Sequence, residues 1–149
     1  MDNQYEEALV RSFFSKRSQS RILFELSSPK RRRDALWRLC HMYYENLNEK
    51  YMVPIDQPIT YPEQILAVLK KNGADDLCYV MSLNTDIDGE YLPLNIALEE
   101  TVFFGLASIV SCIPDKLAYF QAEQVQGPPP RFILKRNLSI QNDRVRQLF

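Results

Sequence analysis

"LASIVSCIPDKLAYFQAEQVQGPPPRFILKR", residues 106–136, contains three short apolar runs separated by polar or proline-rich connections. "LASIVSCI", "LAYFQAE" and "RFILKR" are rich in β-branched and aromatic residues, and each has the length of a strand rather than of a helix. "PDK" is short enough to join the first two as an antiparallel pair. The prolines of "QVQGPPP" cannot donate to a central ladder and mark a longer, exposed connection. Upstream, "DLCYVMSLN" (76–84) reads as a fourth, buried strand, followed by the polar Asp-Gly turn "TDIDGE".

The segments around and before these runs have helical spacing. "PLNIALEETVFFG" (93–105) reads as a helix stopped by Gly105. "TYPEQILAVLKKNG" (60–73) has Thr60 and Glu63 at capping-box spacing, lysines in its last turn and Gly73 as a stop, and Pro54 and Pro58 bracket the loop before it. In "SSPKRRRDALWRLCHMYYENL" (27–47), Ser28 and Pro29 begin a helix that should run to about Asn48. Leu36, Leu39, Cys40, Tyr43 and Leu47 make one continuous apolar stripe along it. Nearer the start, Asp2 can cap a helix through about Lys16 with Tyr5, Leu9 and Phe13 on one face, and "SQSRILFELSS" predicts a second, short helix. The final "NLSIQNDRVRQLF" reads as a short helix or a packed tail. Helices early and strands late predict an α+β fold, with N-terminal helices packed on a C-terminal antiparallel sheet of about four strands, in a single domain over residues 1–149.

The composition, 46% hydrophobic and 25% charged, is that of a chain able to bury its own core. Cys40, Cys78 and Cys112 are odd in number and lack C-x-x-C spacing, which predicts reduced, buried thiols and a cytoplasmic protein. The longest apolar run, "VFFGLASIVSCI", has 12 residues, against roughly 20 needed to span a bilayer, so no membrane association is expected.

With His41 as the only histidine, no two-histidine metal site or metalloprotease helix can form within one chain. A Cys-His nucleophilic pair would need Cys78 or Cys112 brought to His41, because Cys40 points about 100° away on an ideal helix. "NTDIDGEYLPLN" places Asn84, Asp86 and Asp88 at calcium-loop positions, but Asn95 stands where the bidentate Glu belongs. Its carboxylates suit a solvated turn better than a catalytic pair. The four glycines form neither a Walker loop nor G-x-G-x-x-G. No catalytic residue, metal site or cofactor is therefore expected.

The net charge of −1 conceals two lobes. Residues 11–38 carry nine Lys or Arg and two acids, whereas residues 56–100 carry two Lys and nine acids. Electrostatic complementarity speeds encounter and selects partners. The leading expectation is a non-enzymatic protein-interaction module of the immunity or antitoxin kind, its acidic region covering a basic site on a toxin. The candidate partner-binding residues are Asp75, Asp76, Asp86, Asp88, Glu90, Glu99 and Glu100. An alternative is a nucleic-acid-binding accessory protein that uses the basic helix 29–48, with Lys30, Arg31 and Arg33 on phosphates and Trp37, His41 and Tyr44 beside them. A further alternative is a small hydrolase or ligand-binding protein using Cys78, Cys112 or the acidic turn. Cations near a helix N-terminus oppose the macrodipole, so the "KRRR" run also needs internal partners. Arg33 stacked on Trp37, Asp34 paired with Arg38, and acids of the 56–100 region paired with the others are candidates, and Arg32, at the edge of the apolar stripe, can border the core.

Overall fold

A computed structural model describes residues 1–56 and 59–136. Pro58 and the segment "NLSIQNDRVRQLF" lie outside the described residues. Three helices come first: α1 (Asn3–Phe13), α2 (Lys16–Leu26) and α3 (Pro29–Asn46). Strand β1 (Met52–Pro54), α4 (Pro62–Lys71), β2 (Leu77–Ser82), β3 (Tyr91–Pro93) and α5 (Leu94–Val102) follow, then β4 (Ser108–Ile113), β5 (Leu117–Gln121) and β6 (Arg131–Lys135). The architecture is α+β, with N-terminal helices and an antiparallel sheet of mainly C-terminal strands.

The sheet has six strands in the order β1-β6-β5-β4-β2-β3, rather than about four. The four runs expected from sequence are its centre, paired for example Tyr79↔Ser111, Val110↔Tyr119 and Tyr119↔Ile133. The two additional strands are the edges, each three residues long and each ending in proline, with Pro54 opposite Phe132 and Pro93 opposite Leu77. Three residues are too few to show a two-residue period, and proline reads as a breaker. In the folded protein, short proline-ended edges resist pairing with another chain.

Helices cover both faces of the sheet, which explains why the central strands are almost continuously apolar instead of alternating. On one face, Tyr79, Met81, Ile109, Ala118, Phe120 and Leu134 pack with Leu9, Phe13, Ile22, Leu36 and Leu39 of α1–α3. On the other, Val80, Val110, Cys112, Tyr119 and Ile133 pack with Ile65, Leu69, Leu94, Ala97 and Leu98 of α4 and α5.

The helix starts and stops only partly follow the punctuation: α1, expected through about Lys16, ends at Phe13, and Lys16 instead opens α2. Asp2 caps α1 by accepting the Tyr5 N–H at 3.0 Å, and Gly73, at φ +96°, ends α4 in a left-handed conformation suited to glycine. At the start of α4, Gln64 takes the place expected for Glu63, its side-chain oxygen accepting the N–H groups of Thr60 and Tyr61. In α3, Pro29 occupies the first turn as expected, but Ser28 contributes its backbone carbonyl, which accepts from Arg31 and Arg32, rather than a side-chain cap. The helix also kinks at Met42 (φ −129°, ψ 37°), where the Asn46 amide donates to the Met42 carbonyl.

Candidate functional site

Three groups of ionisable and aromatic residues result from this arrangement: a buried node under the first helices, an acidic margin around β3 and α5, and the outer face of α3.

The node is centred on Arg32. Its guanidinium donates to both oxygens of Glu6, at 2.6 and 2.8 Å, and to both oxygens of Asp88, at 2.7 and 2.9 Å. Tyr79 adds a hydroxyl donated to Glu6 at 2.5 Å, and the Ser82 N–H donates to Asp88 at 3.0 Å. Burial favours neutral Arg32, but the paired carboxylates outweigh it and raise its pKa further. Hence α1, α3 and the turn after β2 are tied together at one buried point. Of the acidic candidates, Asp88 is thus turned inward onto Arg32. The Asp88 oxygens, which would have to serve a calcium loop together with those of Asn84 and Asp86, are occupied by the guanidinium and a backbone donor.

The acidic margin is assembled from sequence-distant pieces. Asp75 and Asp76 sit exposed just before β2, and the Asp76 carbonyl accepts the N–H of Leu94, the first residue of α5, at 2.7 Å. The Asp76 carboxylate is paired with Lys70, which holds its pKa below the ordinary value. Asp86 and Glu90 are exposed at the other end of β3. In α5, Leu94, Ala97, Leu98, Thr101 and Val102 turn into the core. The opposite face therefore presents Ile96, Glu99 and Glu100, with Phe103 completing the stripe just past the helix end. Ile96 is 39% and Phe103 67% exposed, and both glutamates are exposed. Asp75 and Asp76 thus adjoin the N-terminal end of the helix whose outer face carries Glu99, Glu100 and the two apolar side chains. Ile96 and Phe103 were not among the sequence candidates. Their signal was the unused face left once the core face of "LNIALEETVF" is assigned.

On α3 the apolar stripe turns inward as expected, with Leu36, Leu39, Cys40 and Leu47 buried and Tyr43 half-buried. The second stripe, Trp37, His41 and Tyr44, is on the surface: Trp37 is 45% and Tyr44 65% exposed. Lys30, Arg31 and Arg33 are exposed beside the buried Arg32. Arg32 takes an acid of the 56–100 region, Asp88, as one expected pairing had it, whereas the pairings within the helix differ from those expected. Arg31 stacks on Phe24, with its guanidinium carbon 5.0 Å from the ring centroid, Arg38 pairs with Glu25 of α2 instead of the Asp34 carboxylate, and Trp37 stacks on His41 instead of Arg33. Helix α2 supplies both Phe24 and Glu25.

Cys78 and Cys112 are buried among apolar side chains of the α4–α5 face. Burial pushes the Cys78 thiol up to about 12 and raises Cys112 as well, the reverse of what a thiolate nucleophile needs. His41 lies on the other side of the sheet, with α3.

Among the described residues, no helix is long and apolar enough to cross a membrane. Comparison with protein-family models, with curated proteins and with solved structures finds no match to this chain.

Proposed function

We propose that the protein is a non-enzymatic interaction module that docks a basic protein surface onto the outer face of α5 and the adjoining Asp75–Asp76 loop. The observation that carries this reading is the exposed Ile96, Glu99, Glu100 and Phe103 stripe. Apolar anchors ringed by like charges are the arrangement that gives an interface both a hot spot and partner selectivity. Asp86 and Glu90, beyond β3, extend the same negative field and steer a cationic partner. A small protein with such a surface suits the task of an immunity or antitoxin protein, which masks a basic site on a toxin. The test is affinity purification of the chain at native expression, coupled with co-expression of the products of neighbouring genes. A specific partner with a basic surface, released as salt is raised, supports the reading. Recovery of no specific partner, with neighbouring products that also fail to bind, removes it.

The outer face of α3 supports a second reading, nucleic-acid binding, because Lys30, Arg31 and Arg33 are exposed on the same helix as Trp37, His41 and Tyr44. Charge reversal at Arg31 and Arg33 should then weaken binding to a single-stranded oligonucleotide and flatten its salt dependence. No affinity at low salt would end this alternative.

A further inference from the structure

Where α3 meets the chain beyond β5, Cys40, His41 and Glu123 converge. One donor atom from each, the Cys40 sulfur, a His41 ring nitrogen and a Glu123 carboxylate oxygen, lies within 4.8 Å of the other two. Successive residues on an ideal helix diverge by about 100°, yet here the imidazole folds back along α3. Its Nδ1 lies 3.1 Å from the Trp37 carbonyl, and the Trp37 and His41 rings stack at 4.7 Å. A carbonyl oxygen only accepts, so Nδ1 carries a proton. That leaves Nε2 facing Glu123 Oε2 at 3.4 Å. The Nε2 and Oε2 atoms are donor types that zinc takes, turned towards the same point. A ring N–H donated to a backbone carbonyl is also how metal-bound histidines are held.

The third donor is the Cys40 sulfur, which is buried beside the other two. Burial raises its thiol pKa, with backbone hydrogen bonds at Ala107 and Glu123 opposing the rise, so a metal there has to displace a held proton. A thiolate, an imidazole and a carboxylate are the ligand types of zinc, whereas calcium and magnesium take oxygen alone. In a tetrahedral site with bonds of about 2.0–2.3 Å, donor atoms stand roughly 3.3–3.8 Å apart. The His41 Nε2–Glu123 Oε2 separation of 3.4 Å already has that size, and the Cys40 sulfur lies within 4.8 Å of both groups' donor atoms.

We infer that Cys40, His41 and Glu123 form a zinc site with one coordination position open on the solvent side, beside the exposed His41. This site stands independently of the acidic face of α5. Zinc replaces the thiol proton of Cys40, which passes to solvent, and nothing is oxidised or reduced.

Trp37 is the only tryptophan and stacks on a proposed ligand, so its fluorescence reports on the site. The test is titration of the reduced full-length chain with zinc against a chromophoric chelator, with cobalt as a spectroscopic substitute. The expected result is one-to-one binding, a change in Trp37 emission, a thiolate-to-cobalt charge-transfer band, and about tenfold or greater weakening in both His41→Ala and Glu123→Gln. Cys40→Ser should lose the charge-transfer band. Should that variant fail to fold, the two variants at the more exposed positions decide. Absence of one-to-one binding, a cobalt complex without the thiolate band, or affinity unchanged in both His41→Ala and Glu123→Gln would overturn the inference.

Discussion

Arg32 of α3 closes a two-pronged fork on Glu6 of α1, with nitrogen–oxygen distances of 2.6 and 2.8 Å, while the other edge of the same guanidinium holds Asp88. Residues 26 and 56 positions away in the chain are thereby fastened to one buried cation. Removing one partner of a buried ion pair leaves uncompensated charge, which typically costs about 3–5 kcal/mol. Arg32→Met should therefore lower the unfolding free energy by about that amount in urea denaturation. Arg32→Lys, with a compact ammonium in place of the planar fork, should recover only a minor part of the loss. Neutralising both carboxylates as well, in Arg32→Met with Glu6→Gln and Asp88→Asn, should restore much of it, because the burden is unpaired charge more than lost attraction.

The buried thiols make an alkaline prediction. An unfolded thiol ionises near 9.0, whereas folded Cys78 holds its proton to about 12 because burial disfavours the thiolate. The folded state then binds more protons than the unfolded state between those values, so this contribution is complete below pH 9 and is lost as pH rises towards 12. Unfolding free energies from urea titrations at pH 8 to 11 should fall across this window, by at most about 1.4 kcal/mol per pH unit for each such group. Cys78→Ala should flatten the slope. A native-state thiol reagent should leave Cys78 and Cys112 unlabelled until the chain unfolds.

The two stripes of α3 should respond oppositely to truncation. Leu39→Ala opens a cavity between α3 and the sheet and should cost about 2–5 kcal/mol. Tyr44→Ala, at a surface position, should change stability by no more than about 0.5 kcal/mol. Thermal or chemical denaturation of the two variants compares them directly.

The legible parts of the fold were those carried by contiguous chain. Each central strand announced itself as an apolar run with clear stops, and α3 and α4 by spacing and punctuation. The edge strands were not legible because Met52–Pro54 and Tyr91–Pro93 are strands only through their neighbours in the sheet. The same divide runs through the functional residues. The inward turn of Arg32 followed from its angle beside the Leu36 stripe, but its partners, Glu6 and Asp88, are brought in by tertiary packing. Glu123 next to Cys40 and His41 was hidden for that reason, and because helical geometry alone sets neighbouring side chains apart. Sequence marked Glu99 and Glu100 as acidic candidates; the structure adds Ile96 and Phe103 to their stripe and turns Asp88 away from solvent.

The most direct measurement is a side-by-side affinity purification, quantified by mass spectrometry, with three baits: the unaltered chain, Glu99→Lys with Glu100→Lys, and Arg31→Glu with Arg33→Glu. All substituted positions are exposed, so circular dichroism should show the three baits equally folded. The account predicts a partner with a basic surface that is retained by the unaltered chain and the α3 variant, and lost from the α5 variant. Equal recovery of the same partner by the α5 variant would contradict it.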